Sequence, residues 1–191
     1  MSVAPALAKT HALPDVPVLT TARLTLPGPQ ARDLDAMAAF YQSDRSAFVG
    51  GPCSRFEAWM RLLGGLGHWA LRGFGWWSVE CRETGAMAGR VGIGLHEGWD
   101  EPELGWHIYD GFEGRGHANE AALAARRFAA RTWGIVAPIS YIVAENARSR
   151  ALAERLGAVI EREGEVVGQP CLVYRHPADA AGADGGMEVT A

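Results

Sequence analysis

Residues 112–120 read Phe-Glu-Gly-Arg-Gly-His-Ala-Asn-Glu, and no other stretch restricts the possible folds as tightly. Ahead of them, residues 104–109 (Leu-Gly-Trp-His-Ile-Tyr) read as a strand. After them an alanine-rich run reads as a long helix to about Trp133. A strand, a glycine turn and a helix start, met in that order, make an anion site. The first N–H groups of a helix have no partner inside it. The helix dipole adds partial positive charge there, and glycine lets a phosphate come close to the backbone. The turn is therefore expected to hold a cofactor pyrophosphate.

The elements around it follow from periodicity. Residues 1–17, rich in Ala and Pro, show no period and read as a loose arm. A first strand is expected over 19–26, ended by Pro27-Gly28-Pro29. A helix opens at Asp33 with Leu34, Met37, Ala38 and Tyr41 on one apolar face. Ser54 and Glu57 match a capping box for a second helix. Its apolar face is read as Phe56, Trp59, Met60 and Leu63, with a bend or stop at Gly64, Gly65 and Gly67. Strands are expected over 75–82 and 87–96, joined by a Thr84-Gly85 turn, and over 102–110. On the last, Glu103, Gly105, His107 and Tyr109 share one face; Leu104, Trp106 and Ile108 share the other. In the helix after the glycine turn, Ala118, Ala122, Ala125 and Ala129 form a small-residue face suited to packing on a sheet. A strand follows over 139–144, and then a short helix opened by Asn146 and capped by Gly157. The last two strands are expected over 158–163 and 171–176, paired across 164–170. The whole reads as an α+β plan: a mixed, mostly antiparallel twisted sheet of about seven strands, flanked by four helices, with one right-handed β-α-β crossover at its centre. It occupies 18–177 as a single domain, and 178–191 reads as a disordered tail.

Composition narrows the class. A net charge of −4 gives no reason to expect nucleic acid or an acidic membrane as partner. No apolar run is long enough to span a bilayer. Cys53, Cys81 and Cys171 lie far apart with no paired spacing, which suits a reducing cytoplasm. His11, His68 and His96 show no metal spacing, so no metal is expected. A dinucleotide-binding oxidoreductase would also use a Gly-x-Gly turn. Here Asn119 stands where the third glycine belongs, and no acidic residue follows at the required distance.

The element order, the turn over 113–118 and the later run Glu-Asn-Ala-Arg-Ser over 145–149, followed by Glu-Arg-Leu-Gly over 154–157, resemble the GNAT N-acetyltransferases, and within them the RimJ/RimL-like branch. Thr-Ala-Arg-Leu-Thr at 21–25, Gly-Arg-Val-Gly at 89–92 and Glu-Leu-Gly-Trp at 103–106 match phrases of that branch, and the likeness covers about 19–176. It implies acetyl-CoA as cosubstrate. Its pyrophosphate would lie on the amides of Gly114, Arg115, Gly116, His117 and Ala118. Its pantetheine arm would run between the strands at 103–109 and 139–144, bonding the backbone of Trp106 and Ile108. Glu113 stands where the family commonly has Gln or Arg, and its carboxylate is expected to point away or to be screened by Arg115.

Acetyl transfer to an amine needs a neutral nucleophile, a donor for the developing oxyanion and a proton for the leaving thiolate. The resemblance implies backbone N–H near Trp106 as the donor. Glu103 is the first candidate for the base, directly or through a water, and His107 on the same face is the second. Their bland readings are a solvated strand-end carboxylate and a structural histidine. The tyrosine acid of some members is replaced by Ala153, which leaves Ser149 near the sulfur and Asn146 on the pantetheine arm. Asn146 also reads as a plain N-cap and Ser149 as an exposed first-turn residue. Trp69, Trp76, Trp77 and Trp106 border the cleft and read mainly as core. At pH 7, removing a proton costs about 1.4 kcal/mol for an α-amine and roughly 4.6 for a lysine. A single carboxylate therefore favours an α-amine or other low-pKa acceptor. The expected activity is acetyl transfer to a protein N-terminus or small amine, by direct attack in a ternary complex, in a monomer or homodimer. The alternative is a non-catalytic acyl-CoA-binding module.

Overall fold

Short connections dictate the layout: hairpins keep sequence neighbours side by side, and one helical crossover places two strands parallel. In the computed structural model, which describes residues 15–178 and 188–190, the chain runs β1 (Val18–Thr20), β2 (Leu24–Leu26), α1 (Leu34–Gln42), α2 (Arg55–Arg72), β3 (Trp76–Cys81), β4 (Met87–Gly94), β5 (Glu103–Ile108), α3 (His117–Trp133), β6 (Ile139–Ile142), α4 (Ala147–Arg155), β7 (Val159–Val166), β8 (Gln169–Arg175) and β9 (Glu188–Thr190). One sheet takes the order β7-β8-β6-β5-β4-β3-β2-β1-β9. Only β5 and β6 are parallel, joined through α3. The fold is thus α+β, with a mixed and mostly antiparallel sheet.

Alternation along the strands sends side chains to two helical layers. Trp77, Val79, Val91, Ile93 and Leu104 meet the alanine face of α3. Of that face Ala121, Ala122, Ala125 and Ala129 are fully buried, while Ala118 is only packed against the core's edge. Ile142, Ala153, Ala158 and Tyr174 fill the space under α4. On the opposite side α1 and α2 bury Met37, Ala38, Phe40, Tyr41, Ala58 and Leu62 around Tyr109. Trp69, at the end of α2, reaches the first core through Trp77 and Trp133.

Several expectations need correction. The single strand over 19–26 is two strands folded on each other at Thr21, whose hydroxyl and N–H both engage Leu24. Among the described residues the sheet has nine strands, where about seven were expected. The strand expected over 139–144 ends at Ile142. The last hairpin closes on Val167 and Gly168, so β7 and β8 pair through what was expected to be a connection over 164–170. Helix α2 runs unbroken through its glycines. Its buried stripe is Ala58, Leu62, Gly65, His68 and Trp69, whereas Phe56, Met60 and Leu63 are 71%, 50% and 39% exposed. Small residues let the helix approach the sheet, and the bulkier apolar stripe is left outside. Of the expected arm, 1–14 lies outside the described residues, while Pro17 accepts a hydrogen bond from Trp77 Nε1 at 2.8 Å and Val16 packs on the core. Of the expected tail, 179–187 and 191 lie outside the described residues, and 188–190 pair with β1 as an edge strand.

Candidate functional site

Two side chains, those of Ser140 and Glu103, stand in the ladder at the fork where β5 and β6 part. β5 and β6 share a single register pair, Glu103 with Ile139. The Ile139 N–H bonds Pro102 O at 3.1 Å, which continues the ladder. At the next rung the hydroxyl of Ser140 donates to Leu104 O at 2.5 Å, in the place a backbone N–H would take. Ser140 is held in turn by His176 Nε2 at 2.9 Å, and His176 Nδ1 lies 3.4 Å from Arg126. These groups are buried, so the closed end of the fork is rigid. Since Pro102 and Leu104 present their carbonyls to β6, strand alternation turns the backbone groups of Trp106 and Ile108 to the same edge, beyond the last shared pair. The Ile108 carbonyl is taken by Arg45 Nη2 at 3.1 Å.

Glu103 lies across the mouth of this fork. Its Oε1 accepts the N–H of Tyr141 on β6 at 3.1 Å. Burial pushes the carboxyl up to about 8, with the Tyr141 hydrogen bond pulling the other way. Along the same face Gly105 has no side chain because the Trp76 ring lies where one would go: a Cβ there would sit 2.3 Å from the ring edge. His107 follows. It is tilted against Trp76 at 5.2 Å, stacked on Phe40 at 5.7 Å, and 3.5 Å from Tyr41 Oη through Nδ1. Burial first, and then the charges of Arg90 and Arg61, push its imidazole down to about 3. A group that stays neutral and so weakly basic is poorly suited to take a proton from an amine. Of the two base candidates, the environment favours Glu103.

The glycine turn sits at the far end of β5. Gly114 and Gly116 have φ of +70° and +81°, the left-handed region that favours glycine. Nothing lies within 4 Å of where a Gly114 Cβ would be, and the first turn of α3 has no side-chain cap. The amides of 114–118 thus suit a pyrophosphate. Glu113 does not spoil the site: it pairs with Arg45, which also pairs with Asp110. The screening comes from Arg45, on the turn after α1, not from Arg115. A second fastener comes from β1–β2. Glu120 accepts Thr21 Oγ1 at 2.6 Å, Arg23 N at 2.9 Å and Arg23 Nε at 2.6 Å, and Arg23 Nη1 reaches Arg115 O at 2.6 Å. Burial alone would raise the Glu120 carboxyl, but these donors hold it below the usual carboxylate range. Sequence reading missed Arg23, Arg45 and Glu120 as partners of the turn.

On α4, Asn146 Oδ1 accepts the N–H of Ser149 at 3.2 Å, so Asn146 is the N-cap. Both residues are half-buried. Ala153 is fully buried, with Tyr174 in the same cluster. The Tyr174 hydroxyl is occupied by Arg150 Nε at 3.2 Å and by Glu154 at 3.4 Å. Cys53, Cys81 and Cys171 are free thiols. Among the described residues no group of three or more His, Cys, Asp or Glu is placed to hold a metal, and no helix is long and apolar enough to cross a membrane.

Comparison with known proteins meets this geometry from outside. The family described as acetyltransferase (GNAT) domain matches residues 23–159. A solved acetyltransferase from Agrobacterium tumefaciens str. C58 is 37% identical, covering 85% of this chain and 95% of that one, with a TM-score of 0.79. A GNAT-family acetyltransferase from Bordetella pertussis is 26% identical over 83% of this chain and 98% of that one, at a TM-score of 0.72. A Salmonella typhimurium acetyltransferase described as modifying the N-terminal serine of ribosomal protein L7/L12 shares the fold at 18% identity, over 83% and 97%, at 0.69.

Proposed function

The chain belongs to the GNAT acetyltransferase family, and on that premise we propose that it transfers an acetyl group from acetyl-CoA to a primary amine by direct attack in a ternary complex. Within the family we place it with the RimJ/RimL-like branch, acting in the cytoplasm on a protein N-terminus or a small amine. One observation carries the reading: Glu103 lies across the mouth of the β5–β6 fork, with its carboxyl desolvated.

Acetyl-CoA supplies the activated acetyl thioester. The amides of Gly114, Arg115, Gly116, His117 and Ala118 would hold its pyrophosphate; several charge-assisted hydrogen bonds at about 1.5–3 kcal/mol each suffice for an anchor. The backbone edge at Trp106 and Ile108 would bind its arm, with Asn146 and Ser149 on the other side. The Trp106 N–H would donate to the thioester carbonyl as charge develops there. Glu103 takes the amine proton. Its pKa of about 8 matches that of an α-amine far better than an ordinary carboxylate would. At pH 7 about one Glu103 in ten is ionised, by the tenfold-per-unit relation. His107 is the second candidate for the same step, and Ser149 is the candidate to protonate the thiolate.

The test is thiol release from acetyl-CoA with a panel of amines, run beside calorimetric binding of acetyl-CoA. Amine-dependent release is expected. Binding without release from any amine would overturn the enzyme reading in favour of an acyl-CoA-binding module.

A further inference from the structure

Arg90 is a cation in the wrong place for a structural residue. It is 5% exposed, between the sheet and the layer of α1 and α2. Its Nη1 has only the sulfur of Met37, at 3.9 Å, and its Nε is buried with no partner. The guanidinium stands 5.7 Å from the centre of the Trp76 ring, which covers Gly105 beside Glu103. Among the described residues no carboxylate is within ion-pair reach of it. Asp33, a buried acid of the same layer, bonds Ser78, the cross-strand partner of Arg90, without forming an ion pair with Arg90. Asp33 accepts Ser78 Oγ at 2.5 Å and Gln30 N at 2.8 Å. Asp35 pairs with Arg55 and Glu80 with Arg32, while Glu57 closes the cap of α2. A buried charge without a counter-ion is costly to keep.

Two neighbours share the deficit. Tyr109 Oη is also buried without a partner, and burial keeps its phenol protonated, so it is a donor. Arg61 lies over the Tyr41 ring at 4.8 Å and gives one bond to Gly50 O; Glu57, one helical turn earlier, feels its charge without forming an ion pair. Both arginines act on His107, and no negative group opposes them there. Arg90 also acts on Tyr109, so two cations and an unpartnered hydroxyl share one buried region whose acid, Asp33, is bonded to neutral donors. Arg90 sits on the rung of His107, four residues along from the rung of Gly94 and Glu103. That is about 13 Å of strand.

We propose that Arg90, with Tyr109 and Arg61, binds a carboxylate carried by the acceptor, four strand positions along from the Glu103 rung where its amine is acetylated. The inference rests on the acetyltransferase reading and names its acceptor class: an amine that also bears an acid. The acid belongs either to an ω-amino acid or to an acidic side chain near a peptide N-terminus.

The experiment compares matched acceptors that differ only in carboxylate or carboxamide. One arm uses aminohexanoate and aminooctanoate against their amides. The other uses short amidated peptides with Glu against Gln at the second or third position. Wild type is expected to prefer the acid by at least tenfold in kcat/KM in one arm, and the arm that responds identifies the source. In Arg90→Met the acid-to-amide ratio should fall to near one. Tyr109→Phe, which removes only a hydroxyl, should lower it several-fold and serves if Arg90→Met does not fold. Equal turnover of acid and amide by wild type in both arms overturns the inference and leaves the acetyltransferase reading intact. If no amine is turned over, that reading falls, and calorimetry with the same pairs decides the inference. Binding of the acid but not the amide, lost in Tyr109→Phe or Arg90→Met, sustains it; no difference between the pair ends it.

Discussion

Glu103 shows how one residue couples activity to stability with opposite signs. Its folded pKa of about 8 lies above the ordinary 4.5. Its contribution to stability is therefore whole below about pH 4.5, declines as pH rises, and is lost above about 8. The same rise in pH creates the carboxylate that can act as base. Glu103→Gln, which mimics the protonated acid, should match wild type in Tm near pH 4.5 and exceed it by pH 8, as thermal melts across that range will show. Its kcat/KM should fall by about a hundredfold, the lower range for a general base. Wild type should gain activity through pH 8, and the variant should lose that component of the profile. A second pair of side chains is testable on the same scale. Arg45 neutralises Glu113 at the edge of the glycine turn. Arg45→Ala should weaken acetyl-CoA binding several-fold by calorimetry. Adding Glu113→Gln should restore most of it, because the unscreened charge is then gone. An equal loss in the double variant would mean that Arg45 acts by itself.

Helix α2 shows what an apolar pattern leaves undecided. Phe56, Met60 and Leu63 form a stripe as regular as Ala58, Leu62 and Gly65, and hydrophobicity favours the first. The sheet chose the second, because Arg90 rises from β4 and only a glycine leaves room for it. A Cβ at Gly65 would lie 2.7 Å from Arg90 Nη2, whereas Gly64 and Gly67 have nothing within 4 Å. The same substitution should thus act differently at adjacent positions. Gly64→Ala should stabilise by about 1 kcal/mol through helix propensity. Gly65→Ala should fall short of it by at least that much, since crowding a packed interior costs about 1–3 kcal/mol. Denaturant melts of the two single variants make the comparison. Local signals fared better. The Ser54–Glu57 cap, the Asn146 cap and the Gly157 terminus were all legible, because each depends on residues three or four positions apart. The turn at Thr21 was not, since alternation of Leu and Thr reads the same in one strand as in two.

Across the whole molecule, legibility fell with distance along the chain. The order of elements and the glycine turn could be read because each is a run of neighbours. The groups that hold the turn in place could not: Arg23 and Glu120 are 97 positions apart, and Glu103 and Tyr141 are 38. Neither partner carries a local mark of the other. The central fork was expected only through family resemblance, and the contacts that mark it, Ser140 Oγ on Leu104 O and Tyr141 N on Glu103, span 36 and 38 positions. The fork makes a prediction at this scale. In hydrogen exchange, the amides of Trp106 and Ile108 should exchange quickly for a central strand, while those paired to β4 stay slow. Acetyl-CoA should slow Trp106, Ile108 and 114–118 together, and leave β7 and β8 as they were. Slow exchange at Trp106 without ligand would mean that the edge is already satisfied.

A pyrophosphate held by main-chain amides, as proposed for the turn over 114–118, would depend on residues other than those it touches. Replacing the side chain of Arg115 or Ile108 leaves its amide in place, so such changes would pass almost unnoticed in a survey of substitutions. Replacing Ser140, whose hydroxyl takes the Leu104 carbonyl where the strands part, or Gly116, whose left-handed conformation shapes the turn, alters what the ligand would meet. Sequence drift should therefore run more freely through the side chains of Arg115 and Ile108 than through Ser140 and Gly116.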